Sequence, residues 1–136
     1  MKFLVDGNVL SEPTRQLPSP RVIDWLARNE TELAVNSIVL GELEYGIRLL
    51  PAGRRRTRLA SWFAQGAALL HVFEIDRETA RIWATLLATL KRKGRAMPVK
   101  DSLITATALQ YDLTVATRNT SDYRHAGIAL TNPFGD

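Results

Sequence analysis

The chain has 136 residues and no cysteine, and its 18 Lys and Arg against 14 Asp and Glu give a formal charge of +4. That length suits one domain, here 1–136, with a core of its own, while the absent cysteines exclude disulfides, thiolate zinc sites and a cysteine nucleophile. Asp6 interrupts the apolar start before a signal-peptide core could form and no apolar run is long enough to span a bilayer, so a soluble, cytoplasmic protein is expected.

Lys2 to Leu10 opens the chain with a short apolar run, Phe3-Leu4-Val5, that ends on Asp6-Gly7-Asn8. Such a run, bounded by turn-forming residues, predicts a buried central strand. Val9 to Glu12 predicts a short helix that Pro13 interrupts, and Pro20 opens an amphipathic helix that Asn29 and Glu30 end. Leu33-Ala34-Val35 reads as a second strand. Asn36-Ser37 then offers the cap of a helix through Leu50, striped by Val39, Leu43, Ile47 and Leu50 and stopped by Pro51 and Gly53. Arg54 to about Leu70 reads as its antiparallel partner, giving a helical hairpin.

Val72-Phe73 with Ile75 predicts a third strand, and Asp76 caps a helix over Arg77–Lys93 whose face is Ala80, Trp83, Leu87 and Leu90. Gly94 supplies its stop. A helix from Asp101 to Tyr111 is rich in small residues, Leu113 to Ala116 is a fourth strand, Thr117 to Arg124 a loop, and Ile128 to Leu130 a last strand. Strands alternating with helices, without hairpin signals, imply a mainly parallel sheet covered on both faces. The fold class is therefore α/β, an α/β/α sandwich with a protruding helical hairpin.

In such a sheet Asp6 and Thr117-Arg118-Asn119 close strands at one edge, where ligands bind. Asp101 opens a helix near the same edge. Asp6 and Asp101 also suit helix caps, a purely structural role. Glu42 and Glu44 flank the Leu43 stripe, and helical geometry alone does not select between them. Several carboxylates in one confined place need a cation, and oxygen-only ligands suit Mg²⁺ or Mn²⁺. The reaction such parts fit is metal-dependent phosphodiester cleavage. His71 and His125 fall outside the cluster, and no P-loop, GxSxG or GxGxxG is present.

Four stretches, in order, carry a resemblance: Phe3-Leu4-Val5-Asp6-Gly7-Asn8-Val9-Leu10-Ser11-Glu12; Val39-Leu40-Gly41-Glu42-Leu43-Glu44-Tyr45-Gly46; Asp101-Ser102-Leu103-Ile104-Thr105-Ala106; and Val115-Ala116-Thr117-Arg118-Asn119-Thr120-Ser121-Asp122-Tyr123. Together they resemble PIN-domain ribonucleases of the VapC toxin type, the FitB-like branch in particular. The resemblance implies that Asp6, Glu42 and Asp101 are catalytic and hold Mg²⁺ or Mn²⁺, which selects Glu42 over Glu44. It also implies an RNA substrate, a VapB-like antitoxin, operator DNA bound only through that antitoxin, a homodimer or larger assembly, and a prokaryotic cytoplasm. Asn119, Asp122, Asn8 and Thr117 are the residues expected to support the ligands or add a fourth. Gly7 departs from the hydroxyl residue usual after the first acid, which implies weakened activity on an intact fold.

Two features keep two readings each. The basic clusters Arg54-Arg55-Arg56 and Lys91-Arg92-Lys93 are either RNA-binding or solvated helix faces. The Leu43, Ile47 and Leu50 stripe with Trp62 and Phe63 is either core or part of a groove for an antitoxin helix. Of the rival functions, a PIN-like scaffold that binds RNA or antitoxin without cutting draws on Gly7 and Asn119. A receiver-type phosphoacceptor has no strand ahead of Lys100 to support it.

Overall fold

A computed structural model describes residues 1–135. Five strands, β1 (Phe3–Val5), β2 (Leu33–Asn36), β3 (His71–Phe73), β4 (Thr114–Ala116) and β5 (Leu130–Thr131), form one sheet in the order β3-β2-β1-β4-β5. Every pairing is parallel. The first strand is central because its three residues are all apolar and buried, as strands covered on both faces must be. Its neighbours β2 and β4 lie on opposite sides, so the connections diverge at the carboxyl end of β1, where Asp6 stands.

Helices α1 (Gly7–Leu10), α2 (Pro20–Arg28), α3 (Ser37–Arg48), α4 (Arg54–Gln65), α5 (Arg77–Arg92) and α6 (Val99–Tyr111) complete the fold. Leu4, Val5, Val9, Val22, Val35, Val39, Ile104 and Val115 are fully enclosed and make the core continuous from sheet to helices. The small residues of α6 are buried from Asp101 to Thr107 with Leu103 alone partly open, which lets this helix approach the sheet and α5 closely. The expected hairpin is α3 against α4.

Several boundaries differ from the sequence reading. Pro13 does not end a helix running from Val9; α1 spans Gly7–Leu10, and Pro13 sits in the first turn of a separate 3₁₀ turn, Glu12–Thr14, where its missing N–H costs nothing. The helix expected to run from Arg54 to Leu70 stops at Gln65, because the chain departs from helical geometry at Gly66 before a 3₁₀ turn at Ala67–Leu69. On α5, Thr79, Leu86 and Leu90 are buried while Ala80 is exposed. The inward face is thus turned by one residue, fixed by Thr79 in a reciprocal cap with Asp76. The last strand is Leu130–Thr131 and not Ile128–Leu130, since Gly127, at φ 73°, bends the chain before pairing with β4 begins. Helix α6 begins at Val99, two residues before Asp101.

Candidate active site

Asp6 follows β1 and lies beside β4, its N–H donating to the Ala116 carbonyl at 2.9 Å. That pairing sets Thr117 next to it. The Thr117 hydroxyl donates to Asp6 Oδ2 at 2.8 Å, and the Gly7 N–H donates to Asp6 Oδ1 at 2.7 Å. Asp6 therefore caps α1 while its carboxylate, 1% exposed, is held fixed beside the end of β4.

Asp101 sits in the first turn of α6 and is also buried. Between the two acids stands Tyr123, whose hydroxyl lies 3.1 Å from Asp6 Oδ2 and 3.2 Å from Asp101 Oδ1. Glu42 comes from α3. Lys100 joins all three, its Nζ lying 3.0 Å from Glu42 Oε2, 3.4 Å from Asp6 Oδ1 and 3.6 Å from Asp101 Oδ1. Glu44, by contrast, pairs with Arg48 on the surface at 2.6 Å.

The electrostatics follow from burial and crowding. Burial, with the charges of Asp6 and Asp122 adding to it, raises the Asp101 pKa above the ordinary carboxylate value, against the opposing pull of Lys100 and Tyr123. Burial works against the charge on Lys100, but its hydrogen bond to Glu42 and the charges of all three acids outweigh it and raise its pKa. Burial and the two neighbouring carboxylates push Tyr123 far above its usual range, so it remains a neutral donor.

The surrounding residues divide. Asn8 accepts the Arg118 N–H at 3.0 Å and reaches Thr117 Oγ1 with its amide at 3.4 Å, so it ties the start of α1 to the end of β4. Thr117 also accepts the Asn119 N–H at 3.1 Å. The Asn119 and Asp122 side chains are exposed, and neither hydrogen-bonds to the three acids. Asp122 acts on Asp101 through its charge.

Lys100 and Tyr123 were absent from the residues read as site in the sequence. The helix predicted from Asp101 leaves Lys100 outside it; in the structure Lys100 is the second residue of α6, where the helix dipole disfavours a cation, so its position has another cause. Gly7 gains a steric reason as well. A Cβ there would lie 2.6 Å from Glu42 Oε1, so the bare glycine lets that carboxylate close over the start of α1.

The three carboxylates around Lys100 offer oxygen donors only, a chemistry that fits Mg²⁺ or Mn²⁺. Among the described residues no three acidic or imidazole groups are already grouped closely enough to chelate an ion. The Lys100 ammonium stands among the three acids as the cation they share.

The basic clusters also separate. Arg54, Arg55 and Arg56 occupy the first turn of α4, where like-signed dipole and charge oppose each other, and Arg55 and Arg58 line a cleft of about 450 Å³ with Arg15 and Thr14. Lys91 and Arg92 lie in the last turn of α5, where cations stabilise a helix, and Lys93 is its C-cap. Past that helix, desolvation first, and then the charges of Arg95, Arg124 and Lys93, lower the pKa of His125. The stripe on α3 is mixed: Val39 is buried, whereas Leu43, Ile47 and Leu50 are only partly covered. Trp62 lines an open groove with Leu10, Pro13, Leu26, Leu69 and Leu70.

A family model described as the PIN domain matches residues 3–128. The chain belongs to the PIN-domain family. Within the family it is similar to Toxin FitB of Neisseria gonorrhoeae, 35% identical over 98% of this chain and 99% of the relative. It is likewise similar to the VapC ribonuclease Y4jK of Sinorhizobium fredii, 33% identical over 97% of each chain. A solved structure of FitAB bound to a DNA fragment superposes with a TM-score of 0.92 at 32% identity, covering 98% of this chain and 96% of that one. The five-strand, all-parallel sheet flanked by helices matches the PIN-domain fold. No helix among the described residues is long and apolar enough to cross a membrane.

Proposed function

We propose that this PIN-domain chain is a Mg²⁺- or Mn²⁺-dependent endoribonuclease, the toxin of a type II toxin–antitoxin module, with Asp6, Glu42 and Asp101 as its metal-holding catalytic acids. The observation that carries this reading is the meeting of three carboxylates, from the end of β1, from α3 and from the start of α6, around one ammonium. Nothing in helix or sheet stability requires acids from three elements to face each other, and two of them are buried. The name of the similar VapC ribonuclease supports RNA as the substrate, and that of the similar FitB toxin supports the toxin role.

When bound, a divalent ion would supply water activation and charge neutralisation at the scissile phosphate. The chain's own residues prepare for it. Thr117 and the Gly7 N–H fix both oxygens of Asp6, Tyr123 bridges Asp6 to Asp101, and Asn8 ties the two loops that carry them. Thr117 and Asn8 thus serve as supports, and so, through the backbone, does Asn119. Asp122 supplies long-range charge. Arg54, Arg55 and Arg56 are read as holding the RNA backbone, and Lys91, Arg92 and Lys93 as a second, weaker contact.

An antitoxin of the VapB or FitA kind is proposed as the partner that neutralises the site, with operator DNA reached through it and a homodimer as the toxin's unit. The solved relatives described as FitAB bound to a DNA fragment and as FitAcB support the antitoxin and the DNA contact.

The test is cleavage of a cellular RNA pool by the purified chain with Mn²⁺, with Mg²⁺ and with EDTA. Discrete products that EDTA abolishes are expected. Tight RNA binding without products would leave a non-cutting scaffold.

A further inference from the structure

Lys100 holds the only ion pairs that Asp6, Glu42 and Asp101 make among the described residues, with oxygens 3.4, 3.0 and 3.6 Å from its Nζ. Its side chain is 30% exposed, against 1% for Asp6 and 6% for Asp101. It and Glu42, at 39%, therefore form the solvent-facing part of the cluster. The location is unfavourable for the helix itself, because a cation in a helix's first turn meets the positive end of the dipole. What offsets that cost is the cluster of acids.

We propose that Lys100 is a tethered counter-ion: it holds Asp6, Glu42 and Asp101 together in the metal-free protein and yields its place to a divalent cation, with which it competes. The proposal rests on the metal-dependent reading of the site. Its physical basis is that both cations need the same oxygens. An ion coordinated at about 2.1 Å by carboxylate oxygens would share them with an ammonium 3.0 to 3.6 Å from those atoms. Two cations at that separation repel, and the one on a flexible four-carbon stem is the one free to move. By linkage, whatever Lys100 contributes to the metal-free site and loses when the ion enters is subtracted from metal affinity.

The test uses the full chain with two substitutions, Lys100→Met, which keeps an unbranched stem and removes charge, and Lys100→Arg, which keeps charge. Mn²⁺ alone is titrated calorimetrically, without RNA, and Tm is measured in EDTA and in Mn²⁺. Lys100→Met should bind Mn²⁺ about tenfold more tightly, within the usual range of such couplings. It should also show a lower Tm in EDTA, a deficit that Mn²⁺ removes, while Lys100→Arg keeps the EDTA Tm. If Lys100→Met folds only with Mn²⁺ present, that rescue supports the proposal; misfolding that Mn²⁺ does not reverse overturns it. Parent and Lys100→Met binding Mn²⁺ with equal affinity overturns the proposal alone. Absence of Mn²⁺ binding by either protein overturns it together with the metal-dependent reading.

Discussion

Tyr123 has one hydroxyl proton and two carboxylates in reach, so it can donate to Asp6 or to Asp101 but not to both. Asp101 sits above the ordinary carboxylate value because it is buried and faces the charges of Asp6 and Asp122, which outweigh the pull of Lys100 and of the Tyr123 hydroxyl toward the charged form. A carboxyl whose pKa is higher in the folded than in the unfolded chain binds more protons when folded. Its contribution to stability therefore falls as pH rises from the unfolded toward the folded pKa, and the loss is complete above both. Without metal, Asp101→Asn should be more stable than the parent at pH 7, and urea denaturation in EDTA should show that gap closing as the pH is lowered to about 4, the ordinary carboxylate range. A gap that widens on acidification would show the opposite shift. Gly7 needs two substitutions, because a Cβ and a hydroxyl act in opposite directions. Gly7→Ala should fold, since the obstructed atom is the free end of Glu42, yet cleave RNA more slowly because Glu42 is displaced. Gly7→Thr should cleave faster than Gly7→Ala if a hydroxyl there orients Asp6 or a water; equal rates would assign the residue's effect to space alone.

At the scale of elements, the two basic clusters differ in what the helix does with them. Lys91 and Arg92 complement the carboxyl end of α5, a sufficient structural reason for their presence. Arg54, Arg55 and Arg56 oppose the amino end of α4, and none forms an ion pair among the described residues. A triple substitution of these arginines to Ala should leave the helix at least as stable and weaken RNA binding. If all three contact phosphates, the logarithmic salt slope for single-stranded RNA should flatten by about 2, from roughly 0.7 per contact. An unchanged slope would make the cluster a solvated face. Element identity was legible in the sequence because apolar runs and helical stripes are strong signals, as for Phe3 to Val5 and for Val39 and Leu43. The offsets arose where tertiary contacts choose among near-equivalent registers. Thr79 and Ala80 both fit a stripe with Trp83 and Leu90, and only the Asp76 cap and the packing of α5 on α6, including Trp83 Nε1 donating to Ser102 Oγ at 2.9 Å, decide between them.

For the whole molecule, topology does the assembling: a central β1 with divergent connections brings Lys100 and Thr117, 94 and 111 positions along the chain from Asp6, to one edge of the sheet beside it. Asp6 and Asp101 stand out in the sequence as carboxylates at a strand end and a helix start, whereas Glu42, in mid-helix, is separated from Glu44 only by the resemblance to PIN-domain ribonucleases. Lys100 and Tyr123 could not be found by the same rule, since a lysine beside Asp101 and a tyrosine in a polar loop have ordinary solvent-facing roles until the fold turns them inward. Glu42 and Glu44 are the sharpest comparison, two identical side chains two residues apart of which one meets Lys100 in the site and the other meets Arg48 outside it. The central claim is that the site at the end of β1 performs the cleavage, and Mn²⁺-dependent RNA cleavage by Glu42→Gln beside Glu44→Gln tests it most directly. Loss of one metal-holding carboxylate should slow Glu42→Gln by about 100-fold or more, a size typical of removing one group that stabilises transition-state charge, while Glu44→Gln cleaves as the parent does. Equal rates for the two variants, whether both intact or both lost, would contradict the assignment.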